Sequence, residues 1–192
     1  MADRVLYLIR HGRYDTAYTA DDLGGSLTDA GRMQALLTAR QLSALPIRAI
    51  HYSTLRRAAE TADILAACFP GVEKHPSSLL WECVPYLPEL LPELFAHISK
   101  DVLRKHERQA RLAFKTFFQP VRDADRHEIL VSHGNLLRYF ICRANGQPPR
   151  AWNRTDIHEC SLSQVLISPR GRMKVVAYDQ INHLPAPLQS YL

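Results

Sequence analysis

The chain has 192 residues, of which 46% are hydrophobic and 22% charged, and its formal net charge is +5. These values are ordinary for a soluble globular protein, and they predict one domain over residues 1–192 that needs neither a disulfide nor a metal for stability. The small, dispersed positive charge suits an anionic substrate but does not indicate nucleic-acid binding. No apolar run approaches the roughly 18 residues of a membrane span.

The first half of the chain alternates predicted strands and helices. An apolar run at 5–9 predicts a buried strand, and the polar, glycine-containing residues 13–27 predict a loop. Thr28 has the residue type and position of a helix N-cap. The elements that follow are a helix to about residue 43, a strand at 49–53 and a helix at 55–68. This alternation predicts an α/β fold of three layers, α/β/α, with a mostly parallel central sheet.

The second half of the chain begins with a proline-rich stretch. Residues 72–99 are predicted to be a loop-rich excursion, because prolines at 76, 85, 88 and 92 interrupt any long element. The predicted elements after it are a helix at 100–118, a strand at 128–132, a helix at 136–144 and a closing hairpin at 162–167 and 174–178. The long helix carries six basic residues on one face, which is typical of a solvated surface.

Two His-Gly steps stand at the ends of predicted buried strands. The first is LIRHG at 8–12, and the second is VSHG at 131–134. Ligands of parallel α/β sheets bind in the crevice beyond the carboxyl ends of the strands. We therefore expect His11 and His133 to project into one crevice, with Arg10 beside them.

These residue types match the requirements of phosphomonoester hydrolysis, which are a nucleophile, cations and an acid. His11 is the candidate nucleophile, because neighbouring guanidinium groups would keep its imidazole neutral. Arg10 and Arg57 are the candidate phosphate ligands, and Arg57 would lie in the first turn of a helix. His133 would supply a further hydrogen bond. Glu82 is the candidate acid, since a carboxyl group beside a bound dianion stays protonated more readily.

Further residues beside the two histidines are candidates for substrate binding. Gly12 and Gly134 would let the phosphate approach the backbone closely. Asn135 could cap the helix that follows and direct its amides into the crevice. Each residue alone has an ordinary structural explanation, because a buried histidine is more often structural and an Arg-Arg pair is more often solvated.

Four motifs together resemble those of the histidine phosphatase superfamily, with its phosphoglycerate mutase-like fold, and the resemblance covers nearly the whole chain. They are LIRHG at 8–12, LTDAGRMQA at 27–35, SxLxRAxxTA at 53–62 and VSHG at 131–134. The resemblance implies that His11 becomes phosphorylated and that Arg10, Arg57 and His133 complete the phosphate pocket. It also implies Glu82 as the proton donor, and it implies that neither a metal nor a cofactor is required.

Within that superfamily, the C-terminal half resembles the mitochondrial phosphoglycerate mutase-like serine/threonine protein phosphatases. The similar segments are ICRA at 141–144, PPxxW at 148–152 and LISPRGR at 166–172. The anchor and targeting region of those proteins has no counterpart here, and the four cysteines form no disulfide or zinc pattern, so we expect a cytoplasmic location. Arg13 and Glu159 depart from common family patterns, and Arg13 is a candidate substrate-binding residue.

The sequence thus predicts a metal-independent phosphatase that forms a phosphohistidine on His11. Its expected partner is a phosphorylated small molecule or a phosphoprotein, including proteins that carry phosphoserine or phosphothreonine, with neither nucleic acid nor membrane involved. The oligomeric state stays open. Two alternatives are a non-catalytic phosphoprotein-binding domain and a phosphoglycerate-type mutase, which the short chain disfavours. A nucleic-acid binder using the basic helix is a weaker alternative.

Overall fold

The computed structural model describes residues 2–18, 21 and 23–190. The strands are β1 (Arg4–Arg10), β2 (Ile47–Ser53), β3 (Glu73–Ser77), β4 (Arg126–Ser132), β5 (Leu162–Ile167) and β6 (Met173–Gln180). The α-helices are α1 (Asp29–Leu42), α2 (Arg56–Ala66), α3 (Lys100–Phe117) and α4 (Gly134–Ala144). In the described part of the chain, no helix combines the length and the apolar composition needed to cross a bilayer.

One six-stranded sheet has the order β3-β2-β4-β1-β5-β6. The first four of these strands run parallel, while β5 and β6 form the antiparallel hairpin at one edge. The predicted α/β fold with a mostly parallel sheet is therefore confirmed. The predicted N-cap is confirmed as well, because the Thr28 side chain accepts a hydrogen bond from Gly31 N.

The central strands β1 and β4 are buried on both faces over most of their length, which gives the fold its three layers. Along β1, Leu6 and Leu8 pack with α3 and α4, while the alternate residues of the strand pack with α1 and α2. A strand buried on both faces needs apolar side chains at successive positions, and residues 5–9 of β1 provide them. This packing holds the ends of the central strands in fixed positions beneath the candidate site.

The register of the central strands determines where the two His-Gly steps lie. Strand β1 pairs with β4 in parallel, and Arg10 lies opposite Ser132. His11 and His133 therefore leave neighbouring strands at the same edge of the sheet, and His11 N donates to Ser132 O at 3.0 Å. Tyr52 of β2 lies opposite Val131, which brings the end of β2 to the same edge.

Some predicted elements differ from the structure. Residues 73–77, predicted as loop because of Pro76, form β3 at the edge of the sheet. An edge strand tolerates proline, because one side of its backbone needs no hydrogen-bond partner in the sheet. Helix α4 begins at Gly134 rather than at residue 136, and His133 occupies its N-cap position. The prediction that Asn135 caps α4 is therefore wrong.

Candidate active site

Four of the predicted side chains form one cluster at the carboxyl edge of the sheet. We call Arg10, His11, Arg57 and His133 the histidine–arginine cluster. The two imidazole rings lie with their centroids 5.0 Å apart, and Arg57 Nε lies 3.0 Å from His11 Nε2. His11 is 3% exposed and His133 is fully buried. The structure thus brings together residues that are up to 123 positions apart in the chain.

The hydrogen bonds of His11 determine which ring nitrogen is basic. His11 Nδ1 lies 2.9 Å from Gly12 O, and a carbonyl oxygen can only accept, so Nδ1 carries the proton. Nε2 consequently keeps its lone pair. Burial lowers the pKa of His11 well below its usual range, and the charges of Arg57 and Arg10 lower this pKa further. His11 is therefore neutral at pH 7.

His133 is held by the end of β2. Its Nε2 lies 2.8 Å from Ser53 Oγ, which itself accepts from Leu55 N at 3.3 Å. Ser53 can therefore donate its hydroxyl proton to Nε2, which leaves the proton of the ring on Nδ1. Among the described residues, His133 Nδ1 has no hydrogen-bond partner. Burial lowers the pKa of His133, and nearby His11, Arg57 and Arg10 add to this effect.

The two arginines of the cluster come from different elements. Arg10 is the last residue of β1, and its Nη1 donates to Ile157 O at 2.8 Å. Arg57 lies in the first turn of α2, as predicted, with its guanidinium 4.6 Å from the centre of the Tyr14 ring. A cation at a helix N-terminus is unfavourable with respect to the helix dipole. An anion bound between the two guanidinium groups would offset this cost.

Glu82 reaches the cluster from the loop after β3. Its two carboxylate oxygens accept from Cys83 N at 3.0 Å and from Asn135 N at 3.3 Å. Burial raises the pKa of Glu82, although these hydrogen bonds and the charges of Arg10 and Arg57 oppose the increase. Glu82 and Arg10 line the same cavity, so the predicted acid lies beside the predicted phosphate ligands.

Backbone packing explains the glycine at position 12, whereas the sequence predicted a close approach of phosphate there. A Cβ atom at Gly12 would lie 2.6 Å from Gly31 O, so the two backbones pack directly against each other. Gly12 N also donates to Thr61 Oγ1 at 3.1 Å. Close packing with the start of α1 explains Gly12 without any ligand, and this packing fixes the backbone that holds His11 Nδ1.

We expect Gly12→Ala to lower the free energy of unfolding by about 1–3 kcal/mol, because the added methyl group forces two backbones apart. Gly134→Ala is the matched control, since a Cβ atom there would meet its nearest neighbour, Arg10 Nε, at an ordinary 3.6 Å. Urea unfolding of both variants measures the difference. Equal stabilities for the two variants would contradict this interpretation of Gly12.

The remaining predicted residues lie around the cluster. Gly134 and Asn135 line the cavity that contains Glu82. Arg13 lines a second cavity of about 200 Å³ with Tyr14, Thr16 and Glu159. Arg13 Nε lies 3.7 Å from Glu159 Oε2, and Arg13 is partly exposed while Glu159 is buried.

Several supporting residues received no role from the sequence. Ser53 orients His133, and Thr61 binds Gly12 N and Arg57 O. Tyr14 packs against His11 with the ring centroids 5.2 Å apart. Ser53 and Thr61 stand inside the SxLxRAxxTA motif, so their regular spacing from Arg57 was an available signal. Tyr14 lies in a loop, where no periodic pattern indicates its position.

A larger cavity of about 610 Å³ lies at the amino ends of the parallel strands, opposite the histidine–arginine cluster. Its lining comes from the starts of β2, β3 and β4 and includes His51, His75 and Glu128. Glu128 already forms an ion pair with Arg4, and nearby His51 together with Arg4 holds the pKa of Glu128 at about 2 despite its burial. The volume of a cavity therefore does not identify the functional site. The histidine–arginine cluster lies at the carboxyl ends of the strands, beside a smaller cavity.

Comparison with known proteins identifies the family of this chain. The family model described as histidine phosphatase superfamily (branch 1) matches residues 6–83 and 105–180. The serine/threonine-protein phosphatase PGAM5, mitochondrial, of Xenopus tropicalis is 38% identical over 180 residues, which are 91% of this chain and 63% of that protein. The protein of the same name from Homo sapiens is 32% identical over 191 residues, or 96% of this chain and 65% of the relative. The chain thus spans less than two thirds of the length of these relatives.

Solved structures share the fold. Bacillus stearothermophilus YhfR has a TM-score of 0.75 at 19% identity and covers 95% of this chain and 100% of its own. The phosphoglycerate mutase of Plasmodium falciparum has a TM-score of 0.67 at 24% identity, with 97% of this chain and 96% of its own covered. These matches confirm the predicted phosphoglycerate mutase-like fold.

The comparisons also correct one prediction. We expected a cytoplasmic location, but these relatives are named mitochondrial proteins, which contradicts it. The comparisons do not favour the alternatives of a binding domain or a mutase. The matched residues cover most of the chain, which therefore belongs to the histidine phosphatase superfamily.

Proposed function

We propose that this chain hydrolyses phosphomonoesters through a phosphohistidine on His11, and that its substrates are proteins carrying phosphoserine or phosphothreonine. The observation that carries the proposal is the hydrogen bond from His11 Nδ1 to Gly12 O, which leaves the lone pair on Nε2. Arg10, Arg57 and His133 lie around this nitrogen as cations or hydrogen-bond donors. The substrate class rests on the relatives, which are named serine/threonine-protein phosphatases.

In the first step, His11 Nε2 attacks phosphorus while the bond from phosphorus to the ester oxygen breaks. Arg57 Nε–H points at Nε2, so it must turn to a phosphoryl oxygen before the lone pair can react. Arg10, Arg57 and the Nδ1–H of His133 would then surround the phosphoryl group. Their charges and dipoles stabilise the oxygens as charge redistributes in the transition state.

Glu82 is proposed as the acid and then the base. Its raised pKa favours a protonated carboxyl group, which gives its proton to the leaving oxygen. The resulting carboxylate accepts a proton from the water that attacks the phosphohistidine. The products are the free alcohol, inorganic phosphate and neutral His11, and Glu82 has regained its proton.

The residues next to the cluster are proposed to contact the rest of the substrate. Gly134 and Asn135 lie on the side that contains Glu82, and Arg13 lies in the cavity beside Tyr14. We propose that these three positions affect KM more than kcat, since none of them is placed to bind the reacting atoms.

We expect Arg57→Ala to slow hydrolysis of every substrate by about a hundredfold, because the phosphoryl charge is common to all of them. This factor corresponds to about 3 kcal/mol of transition-state stabilisation. Arg56→Ala is the matched control, since the neighbouring Arg56 pairs with Asp21 and its guanidinium lies over Tyr18. The kcat/KM values for nitrophenyl phosphate and a phosphoserine peptide test this, and a loss confined to one substrate would contradict it.

We expect chelators to leave the rate unchanged, because two guanidinium groups and an imidazole supply the charge stabilisation that a metal would provide. The measurement is kcat/KM with and without EDTA. Loss of activity in EDTA that a divalent ion restores would refute the proposed mechanism. The same assay on a panel of phosphopeptides, phosphosugars and nucleotides tests the substrate class, and a clear preference for the small molecules would contradict it.

A further inference from the structure

A cavity of about 210 Å³ adjoins the histidine–arginine cluster on the side where the leaving group would depart. Arg10 and Glu82 line it, and so do Asn135, Arg138 and Asp156. Glu82 is the residue proposed to protonate the leaving oxygen, so the part of the substrate attached to that oxygen lies in this cavity. The residues across from the cluster therefore contact the leaving group.

Arg138 brings a second cation into this cavity, beyond those proposed to bind the phosphoryl group. Its guanidinium carbon lies 4.9 Å from the centre of the Trp152 ring, and its Nη2 donates to Asn153 O at 3.2 Å. Asn153 Nδ2 in turn donates to Leu90 O at 2.7 Å. These contacts hold the guanidinium in place, so it does not need to be ordered when a ligand binds.

The charge of Arg138 is compensated only in part by Asp156 and Glu82, which line the same cavity. The side chain is 17% exposed, and among the described residues its Nε has no hydrogen-bond partner. The Asp156 carboxylate is 3.7 Å from Nη2, but that side chain is 75% exposed and its charge is well screened. Asn135 Oδ1, at 3.5 Å from Nη1, is neutral. Burial lowers the pKa of Arg138, although the charges of Asp156, Tyr178 and Glu82 oppose this effect.

The second cavity beside the cluster does not offer the same opportunity. Its cation, Arg13, is 39% exposed and already faces the buried carboxyl group of Glu159. Ser190 Oγ donates to that carboxyl group as well. Arg13 is thus more exposed than Arg138 and faces a buried carboxyl group. The ion-pair partner of Arg138, Asp156, is exposed instead, and the buried Glu82 in the same cavity is proposed to be protonated.

We propose that Arg138 determines substrate specificity by binding a carboxylate carried on the leaving group. This inference rests on the proposed function, because it assigns the leaving group to the cavity that contains Glu82. Guanidinium and carboxylate form strong hydrogen bonds in a water-poor site. The carboxylate could belong to an acidic residue beside the phosphoserine of a peptide or to a small phosphorylated acid.

The test uses two pairs of substrates that differ in one carboxylate. The peptide pair carries glutamate or glutamine next to phosphoserine, and the small pair is O-phosphoserine and O-phosphoethanolamine. We expect wild type to favour the acidic member of at least one pair by about tenfold or more in kcat/KM. The pair that shows the preference identifies the source of the carboxylate.

Three variants separate charge recognition from packing. Arg138→Met keeps the apolar contact with Trp152, and we expect it to bring the acidic-to-neutral ratio close to one. Arg138→Lys keeps a cation and should restore part of the preference, which loss of packing alone would not allow. Arg143→Gln removes a cation from the same helix, where Arg143 Nη1 donates to Gln147 O, and should keep the wild-type ratio.

Each result supports or overturns the inference. A wild-type ratio near one in both pairs, or a preference that persists in Arg138→Met, overturns it. If wild type hydrolyses nitrophenyl phosphate but favours the acidic member of neither pair, the inference is refuted while the proposed function is not. If wild type hydrolyses no substrate, the proposed function fails. The dissociation constants of the same pairs, measured on wild type and on whichever Arg138 variant folds, then decide the inference.

Discussion

The kcat/KM of His11→Ala is expected to be at least about a thousandfold lower than that of wild type, for both nitrophenyl phosphate and a phosphoserine peptide. The loss is the same for both substrates because attack by Nε2 precedes every later step. His133 does not replace His11, since its Nε2 is held by Ser53 Oγ and its Nδ1 is proposed to carry a proton. Measurement of kcat/KM under matched conditions gives the effect.

His11→Ala should still fold. The substitution removes one imidazole ring and its two hydrogen bonds, while the backbone contact of Gly12 with Gly31 stays in place. His127→Ala is the matched control. His127 lies at the start of β4, at the opposite end of that strand from His133, and its Nδ1 is 3.0 Å from Tyr7 Oη. Substantial activity in a folded His11→Ala protein would place the nucleophile elsewhere.

Glu82→Gln is expected to slow hydrolysis of a phosphoserine peptide by about a hundredfold or more, while it changes nitrophenyl phosphate hydrolysis only a few-fold. A serine alkoxide needs a proton as it leaves, whereas nitrophenolate leaves unprotonated. Glutamine keeps the shape of the side chain and an oxygen that can accept from Asn135 N. The two kcat/KM values, measured on the same preparation, give the selectivity directly.

Glu89→Gln is the control for Glu82→Gln. Glu89 belongs to the same proline-rich excursion, but its carboxylate pairs with Arg154 at 2.5 Å near the surface. This control should keep wild-type rates on both substrates. An equal loss on both substrates in Glu82→Gln would show that Glu82 is not the acid, and Glu89 would then be the next candidate.

The pH dependence should separate the same two substrates. The folded protein raises the pKa of Glu82, so its protonated form, which is the active acid, persists above the range of an ordinary glutamate and is lost as the pH rises through that pKa. The kcat/KM of the peptide should therefore fall on the alkaline side. That of nitrophenyl phosphate should not show the same decrease, because its leaving group needs no acid.

Much of this arrangement follows from the sequence, because local pattern and sheet geometry agree. The apolar runs before His11 and His133 predict buried parallel strands, and the ends of neighbouring parallel strands meet at one edge. The SxLxRAxxTA segment predicts Arg57 at the start of a helix, where the structure has it. Backbone geometry brings these residues together, and the pattern of apolar residues along the chain predicts that geometry well.

Other features depend on tertiary contacts that no local pattern records. Pro76 indicated a loop, yet an edge position lets residues 73–77 pair with β2. The reason for Gly12 lies in the approach of Gly31, which is distant in sequence. Arg138 gave no signal, because its role depends on the Trp152 ring and on a cavity formed by several segments.

The central claim is that the phosphoryl group passes through His11, and trapping the phosphoenzyme tests it most directly. The protein is mixed with labelled nitrophenyl phosphate, quenched within milliseconds, and the label is located by peptide mass spectrometry. The account predicts an adduct on His11 that is labile in acid and stable in alkali, as a phosphoramidate is. An acid-stable adduct on serine or threonine, or turnover without any adduct on His11, would contradict it.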